Sequence, residues 1–281
     1  MKERMIFLPL NGTPRSAVAL PVAKVLADLL DATLHIVHVA EQPLAFDELR
    51  RKLSLTVDAL AGTVLDVLTG EPADSIVRLA TEKNCFLTVM AMYTGSIPEG
   101  GLGSVTEAVL QRVPCPVVLV PPDRALSRWQ LQQVVLPQNG TPDTASAIRP
   151  VIHLAQRARA TLLVLHVSGA KTVPPKEAGS LTVPYYMDQP QHEWPAWGEE
   201  FLERITCLCG YPERIGLKLS LAVGEPGAEI VRFAQIHQVD LIILPWRGSI
   251  APNRAATLKS VMKAAPCPIL VLPIAQDSCT E

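Results

Sequence analysis

The sequence LPLNGTP at residues 8–14 occurs again, with one change, as LPQNGTP at residues 136–142. Three further stretches recur in the same order, namely ATLHIVHV at 32–39 and ATLLVLHV at 160–167, GEP at 70–72 and 224–226, and PCP at 114–116 and 266–268. Four landmarks in one order predict an internal duplication. Matched residues of the two copies are 128 positions apart up to His166 but 154 positions apart at Gly224. The second copy therefore carries an insertion between these two residues.

Each copy alternates short apolar runs with segments of helical periodicity. In the first copy we predict strands at 5–9, 33–39, 64–68, 86–91 and 117–120 and helices at 14–30, 45–61, 72–83 and 104–112. Nearly continuous apolar strands that alternate with helices indicate a parallel sheet covered on both faces, and right-handed crossovers make it doubly wound. The fold class is therefore α/β, with two tandem doubly wound five-stranded domains at residues 1–122 and 133–281, joined by a linker at 123–132.

The fifth strand of each copy, Val117–Val120 and Ile269–Leu272, is an apolar edge in an isolated domain. Such an edge needs a cover, because unpaired backbone groups invite another strand. We therefore expect the two copies to pair through their fifth strands in an intramolecular pseudo-dimer. Further dimerisation of whole chains stays open.

Composition excludes several function classes. The net charge of −2 over 281 residues offers no basic excess for a nucleic-acid partner, and the apolar runs are of strand length, too short to span a membrane. The amino-terminal residues lack the apolar region of a signal peptide, so we expect a cytoplasmic protein. None of the six cysteines forms a C-x-x-C pair or has a histidine at zinc-like spacing, so we predict no metal site.

The repeated landmarks resemble those of the universal stress protein family over nearly the whole chain. They are Asn-Gly-Thr where the family usually has Asp-Gly-Ser, His-Val at the end of strand two, Gly-Glu-Pro after strand three and Pro-Cys-Pro before strand five. The resemblance implies an adenine-nucleotide α-hydrolase-like fold that is often dimeric through strand five. Some members bind ATP through a loop written G-x2-G-x9-G-[S/T] between strand four and the last helix. Glycines there let backbone N–H groups approach phosphate oxygens, and a helix N-terminus favours the anion.

Carried onto the first copy, that resemblance implies a nucleotide site formed by Asn11, Val39, Gly95, Gly103, Ser104 and Val105. Ala91 or Met92 stands where the first glycine belongs, and seven residues separate Gly95 from Gly103, so the loop is two residues short. Asparagine replaces the aspartate of ATP-binding members and carries no charge for a cation such as Mg²⁺. A different interpretation is that Asn11 and Gly12 simply form the strand-to-helix turn. For the first copy the two interpretations carry equal weight.

In the second copy the residues favour the turn interpretation. Pro245 holds the place of the first glycine and Gly248 that of the second, whereas Ala255 and Ala256 replace the closing Gly-Ser. Asparagine stands again at Asn139. Any nucleotide site is therefore expected in the first copy.

Two other features carry alternatives. The proline-rich insertion at 168–196 is either a lid or a protein-binding segment, extending to residue 197, or it packs its aromatic side chains on the protein itself.

His38 and His166 stand at equivalent strand ends, and pairing with nearby backbone is favoured over catalysis because no serine–histidine–aspartate order accompanies them. We predict no catalytic residues.

Three functions follow. The resemblance implies a stress-response regulator that binds ATP or another adenine nucleotide in its N-terminal domain. The alternative is a nucleotide-independent interaction module whose degenerate loops persist as scaffold. A slow ATPase has the least support, because Asn11 and Asn139 lack the charge that would place a metal.

Overall fold

The computed structural model describes residues 3–42, 46–53, 55–56, 60–92, 103–122, 126–138, 144, 146–168, 216–246 and 255–274. The strands of the first copy are β1 (Met5–Pro9), β2 (Thr33–Ala40), β3 (Thr63–Thr69), β4 (Leu87–Ala91) and β5 (Val117–Val120). Its helices are α1 (Pro14–Ala17), α2 (Leu20–Leu30), α3 (Phe46–Lys52), α4 (Pro72–Glu82) and α5 (Ser104–Arg112).

The second copy repeats this alternation. Its strands are β6 (Gln133–Gln138), β7 (Thr161–Ser168), β8 (Leu217–Val223), β9 (Leu241–Trp246) and β10 (Ile269–Pro273). Its described helices include α6 (Ile148–Ala158), α7 (Pro226–Ile236) and α8 (Ala256–Ala264).

All ten strands join one sheet in the order β3-β2-β1-β4-β5-β10-β9-β6-β7-β8. Pairing is parallel within each copy, and β5 meets β10 antiparallel, with Leu119 opposite Ile269 and Val118 opposite Leu270. These side chains are buried. The predicted pairing through the fifth strands is therefore confirmed, and it covers both apolar edges inside one chain.

The strands bury both of their faces, as a parallel sheet between helices requires. On β1, Ile6 and Leu8 pack in one apolar cluster with Leu26 of α2, whereas Phe7 packs in the other with Ile76 of α4. This alternation follows from the period of two along a strand. It assigns α2 and α3 to one face and α4 and α5 to the other.

The single helix predicted at 14–30 is wrong, because the chain forms α1 and then α2. Thr13 caps α1, its hydroxyl accepting from the Ser16 amide at 3.2 Å. Pro21 has no amide hydrogen for a continuous helix and is tolerated only in a first turn. A new helix therefore begins at Leu20, with Pro21 in its first turn.

A charged cluster joins β2, β3 and the end of α4. Asp66 is hydrogen-bonded to His35, with 2.6 Å between Oδ2 of Asp66 and Nδ1 of His35. The Oδ1 atom of Asp66 accepts a hydrogen bond from Nζ of Lys83 at 2.8 Å. Burial raises the pKa of the Asp66 carboxyl, but the hydrogen bonds from Lys83 and His35 outweigh it and hold that pKa below its ordinary value of 3.8. The corresponding residues of the second copy are Leu163, Ser220 and His237, so the cluster belongs to the first copy alone.

The linker docks on the second copy. The Trp129 indole donates to the Asp240 carbonyl at 3.1 Å, and the Asp240 carboxylate accepts from the amides of Gln132 and Gln133 at 2.8 Å each. These bonds tie the start of β6 to the start of β9. Among the described residues, no helix is long and apolar enough to cross a membrane.

Candidate functional site

A cleft of about 660 Å³ opens at the carboxyl ends of β1, β2 and β4. β1 is the strand at which the order of the first copy reverses, because β2 lies on one side of it and β4 on the other. Ligands of open α/β sheets bind at such a switch point. The volume lies within the usual range for small-molecule sites.

Five of the six residues predicted for a nucleotide site line this one cleft: Asn11, Val39, Gly103, Ser104 and Val105. The sixth, Gly95, lies outside the described residues. The turn after β1, the end of β2 and the start of α5 thus bring together residues that are far apart in sequence.

Asn11 forms the turn between β1 and α1. Its side-chain Oδ1 accepts from the Thr13 amide at 3.0 Å and from the Thr13 hydroxyl at 2.7 Å. Gly12 follows with a φ of +84°, and a Cβ on it would lie 2.9 Å from the Lys52 carbonyl oxygen. The turn interpretation of Asn11 and Gly12 is therefore confirmed. Asn11 also lines the cleft, and its place in a nucleotide site stays a prediction.

One side of the cleft is apolar. Val37 and Val39 come from β2, Met90 from β4, Met92 from the residue just beyond it, and Ile76 from α4. Apart from Val39, which is half-buried, these side chains are buried. Such a wall suits a flat aromatic group, because it offers contact area without polar groups that need partners.

The opposite side is the start of α5. Gly103 is its N-cap in an extended conformation, with no side chain to accept from the first free amides of the helix. Thr106, in the same turn, is 4% exposed and lines the cleft. The first amides of the helix and the positive end of the helix dipole together favour an anion.

Among the described lining residues, Arg15 of α1 is the only charged one, and none carries a carboxylate. Sequence reasoning missed Arg15 as a site residue, although its place in the first turn after Asn11 was a signal. In the described part of the chain, no group of three or more histidine, cysteine, aspartate or glutamate side chains converges. The donors present therefore fit a phosphate and do not fit Mg²⁺, which prefers carboxylate oxygens.

Neither repeated histidine belongs to the cleft. His38 is 2% exposed, and its Nδ1 bonds to the Leu10 carbonyl at 2.7 Å. It points to the other face of β2 from Val37 and Val39. In the second copy, burial lowers the pKa of His166, against the effect of a hydrogen bond with the Gln138 backbone. Pairing with nearby backbone, the favoured prediction, is confirmed for both.

The described residues of the second copy differ from those that line the cleft in the first copy. Trp246 stands where the first copy has Met92, and it is buried in the apolar cluster that includes Leu258. Ala255, in place of Gly103, takes a left-handed conformation with a φ of +61°. The backbone at the N-terminus of α8 therefore has a different geometry from that at the N-terminus of α5. The side chain of Trp246 is also larger than that of Met92.

Some predicted features lie outside the described residues: Asn139, Gly248 and, except for Ser168, the insertion at 168–196 and its extension to 197.

Comparison with known proteins agrees with the duplication. A model of the Universal stress protein family matches residues 41–121 and 130–273. A Thermus aquaticus protein named universal stress protein in QAH/OAS sulfhydrylase 3′ region is 30% identical over 134 residues, which cover 42% of this chain and 98% of that protein. That relative thus has the length of one copy.

Solved structures share the whole two-copy architecture. The chain is similar to a universal stress protein of Archaeoglobus fulgidus DSM 4304, with a TM-score of 0.64, 18% identity and coverage of 97% of this chain and 99% of that one. It is also similar to a candidate universal stress protein of Pseudomonas aeruginosa UCBPP-PA14, with a TM-score of 0.67, 16% identity and coverage of 97% and 94%. At these identities the likeness shows the fold.

Proposed function

Because this chain belongs to the universal stress protein family, we propose that it is a stress-response regulator that binds an adenine nucleotide in the cleft of its first copy. The observation that carries the proposal is the convergence of Asn11, Val39, Gly103, Ser104 and Val105 on one cleft. The family resemblance singled out these residues from sequence alone.

The two sides of the cleft suit the two ends of a nucleotide. The base lies against the wall of Val37, Val39 and Met90, where burial of apolar surface stabilises it. The phosphate meets the free amides at the start of α5. The Asn11 amide remains as a donor toward the ribose or phosphate, since its oxygen is held by Thr13.

We propose a sensor rather than a turnover enzyme. Hydrolysis of ATP needs a group that places a metal or orients water, and the described lining residues include no carboxylate for either role. Binding without turnover fits a protein whose output is a change of state.

A nucleotide-independent interaction module is the second candidate, and the second copy favours it. Trp246 is buried at the position of Met92, and Ala255 replaces Gly103, so the described residues of this copy differ from the cleft lining at both positions. A protein partner at residues 168–197 is part of this candidate.

Thermal unfolding of the purified chain with and without AMP and ATP tests the proposal. A ligand present at about 100 times its dissociation constant stabilises the native state by about 2.7 kcal/mol, which raises the melting temperature by at least about 5 °C. Gly103→Val places a branched side chain over the free amides and should remove that rise. Ala256→Val, at the start of the matching helix of the second copy, is the control and should preserve it. No rise with either nucleotide at millimolar concentration would overturn the proposal and leave the interaction module.

A further inference from the structure

We infer that Cys85 and Cys115 of the first copy form a reversible oxidation site, at which hydrogen peroxide converts the two thiols into a disulfide bond. The two residues immediately precede β4 and β5, so they lie at the amino ends of these strands, whereas the cleft lies at the carboxyl ends. The site therefore uses none of the cleft residues, and the inference does not depend on the proposed nucleotide binding.

The fold brings the two thiols together around Thr88 of β4. The hydroxyl oxygen of Thr88 lies 3.3 Å from Sγ of Cys115 and 3.8 Å from Sγ of Cys85, and the two thiols also hydrogen-bond each other. All three residues are buried, and they come from segments that are distant along the chain. A disulfide joins two sulfur atoms at about 2.05 Å, so these neighbouring thiols have only a short approach to make.

The second copy shows that packing at this place does not require such a group of side chains. Its corresponding residues are Val239, Ile242 and Cys267, all buried in an apolar cluster. Two apolar side chains and one thiol therefore occupy the equivalent positions. The first copy instead buries the Thr88 hydroxyl, which is costly unless the hydroxyl is hydrogen-bonded, and it pairs that hydroxyl with the two sulfur atoms.

Cys85 is the member of the pair that reacts first. The hydrogen bond with Cys115 lowers the pKa of the Cys85 thiol, against the effect of burial, whereas the same bond and burial raise the pKa of Cys115. The thiolate is the form that attacks an oxidant. Cys85 also lies beside Phe86, which is 42% exposed, so a molecule as small as hydrogen peroxide has a short path from solvent to its sulfur.

The reaction balances in two steps. The Cys85 thiolate attacks one oxygen of the peroxide, the O–O bond breaks, and the products are a sulfenic acid and a hydroxide ion, which takes up a proton to become water. The Cys115 sulfur then displaces the hydroxyl group of the sulfenic acid as a second water and forms the S–S bond. The two thiols lose two electrons and two protons, and the peroxide is reduced to water. A dithiol reductant reverses the oxidation by thiol–disulfide exchange.

Peptide mapping of the full chain tests the inference. The chain is reduced, treated with a small excess of hydrogen peroxide, blocked with N-ethylmaleimide and digested with trypsin, which separates Cys85 in peptide 84–112 from Cys115 in peptide 113–124. We expect these two peptides to be recovered joined, lighter than their sum by the lost hydrogens, and to separate in dithiothreitol. Because the bond closes a loop of about 30 residues, the oxidised chain should also melt about 4 °C or more above the reduced chain.

The second copy supplies the matched variants. Cys85→Val, which copies Val239, should abolish the joined peptides, whereas Cys267→Ala removes the corresponding thiol of the second copy and should leave them unchanged. Recovery of Cys85 and Cys115 unoxidised, a bond from either of them to another cysteine, or joined peptides that form only in urea would overturn the inference. These outcomes leave the proposed function untouched, because the thermal titration with nucleotides tests it separately.

Discussion

Replacing Asp66 by asparagine removes the charge at the centre of the His35–Asp66–Lys83 cluster while preserving its shape. The side chains of His35 and Asp66 are 8% and 16% exposed, so their contact is shielded from water, whereas Lys83 is 34% exposed. Asparagine cannot serve as the anion for both partners. The variant therefore measures what the cluster contributes to the first copy.

The expected cost is about 2–3 kcal/mol. A shielded hydrogen bond to a charged group contributes about 1.5–3 kcal/mol, and the more exposed bond to Lys83 adds about 0–1 kcal/mol. Asparagine retains one hydrogen-bond acceptor, so part of this free energy is not lost in the variant. At about 2–4 °C per kcal/mol, the melting temperature should fall by about 4–12 °C at neutral pH.

The pH dependence has a definite sign. The pKa of Asp66 is lower in the folded chain than its ordinary value of 3.8, so the ionised cluster stabilises the protein above that value. This stability is lost as the pH falls through the still lower pKa of the folded state. The difference in melting temperature between native and variant chains should therefore be full at neutral pH and shrink as the pH falls below 3.8.

Calorimetric melting of both chains from neutral pH down to about pH 3 provides the measurement. Ser220→Asn makes the corresponding change in the second copy and should alter stability by less than about 0.5 kcal/mol. Replacing His35 by leucine together with Asp66 by serine copies the second repeat at two of the three positions of the cluster. This double variant should lose less stability than a variant in which one member of a buried charged pair is left without its partner. The interpretation of the cluster would be wrong if the stabilities of the native and Asp66→Asn chains differed by less than about 0.5 kcal/mol at neutral pH. It would also be wrong if this difference grew as the pH fell.

Three further predictions concern the cleft and the linker. Met92→Trp, which copies Trp246, should fill the cleft and abolish the nucleotide-dependent rise in melting temperature, whereas Trp246→Met in the second copy should leave that rise intact. Gly12→Ala should cost about 1–3 kcal/mol in urea unfolding, because its φ of +84° strains an L-residue and the Lys52 carbonyl lies 2.9 Å from the added Cβ; an unchanged midpoint would contradict this. Asp240→Ala should cost about 1–2 kcal/mol and speed hydrogen exchange at the Gln133 amide, since that amide and the amide of Gln132 lose their acceptor; unchanged exchange would contradict this.

Local patterns predicted most of the fold. The repeated landmarks established the duplication, and the strand at Val117–Val120 and the helix at Ser104–Arg112 have the bounds predicted from the sequence. The pairing of β5 with β10 followed from the need to cover an apolar edge. The error at 14–30 was also local, because Pro21 interrupts a helix wherever that helix lies.

The character of the cleft was decided by tertiary structure. Arg15 lines the candidate site because α1 brings it to the cleft, and a buried tryptophan, Trp246, stands in the second copy where the first has Met92.

The pattern along the chain was enough to predict the duplication, most of the strands and helices, and the candidate residues of one site. The contacts between charged groups, such as those of His35, Asp66 and Lys83 on separate elements, became visible only in the folded chain. The reason is physical: periodicity depends on neighbours along the chain, whereas the energy of a charge depends on groups and burial that only the folded chain brings within a few ångströms.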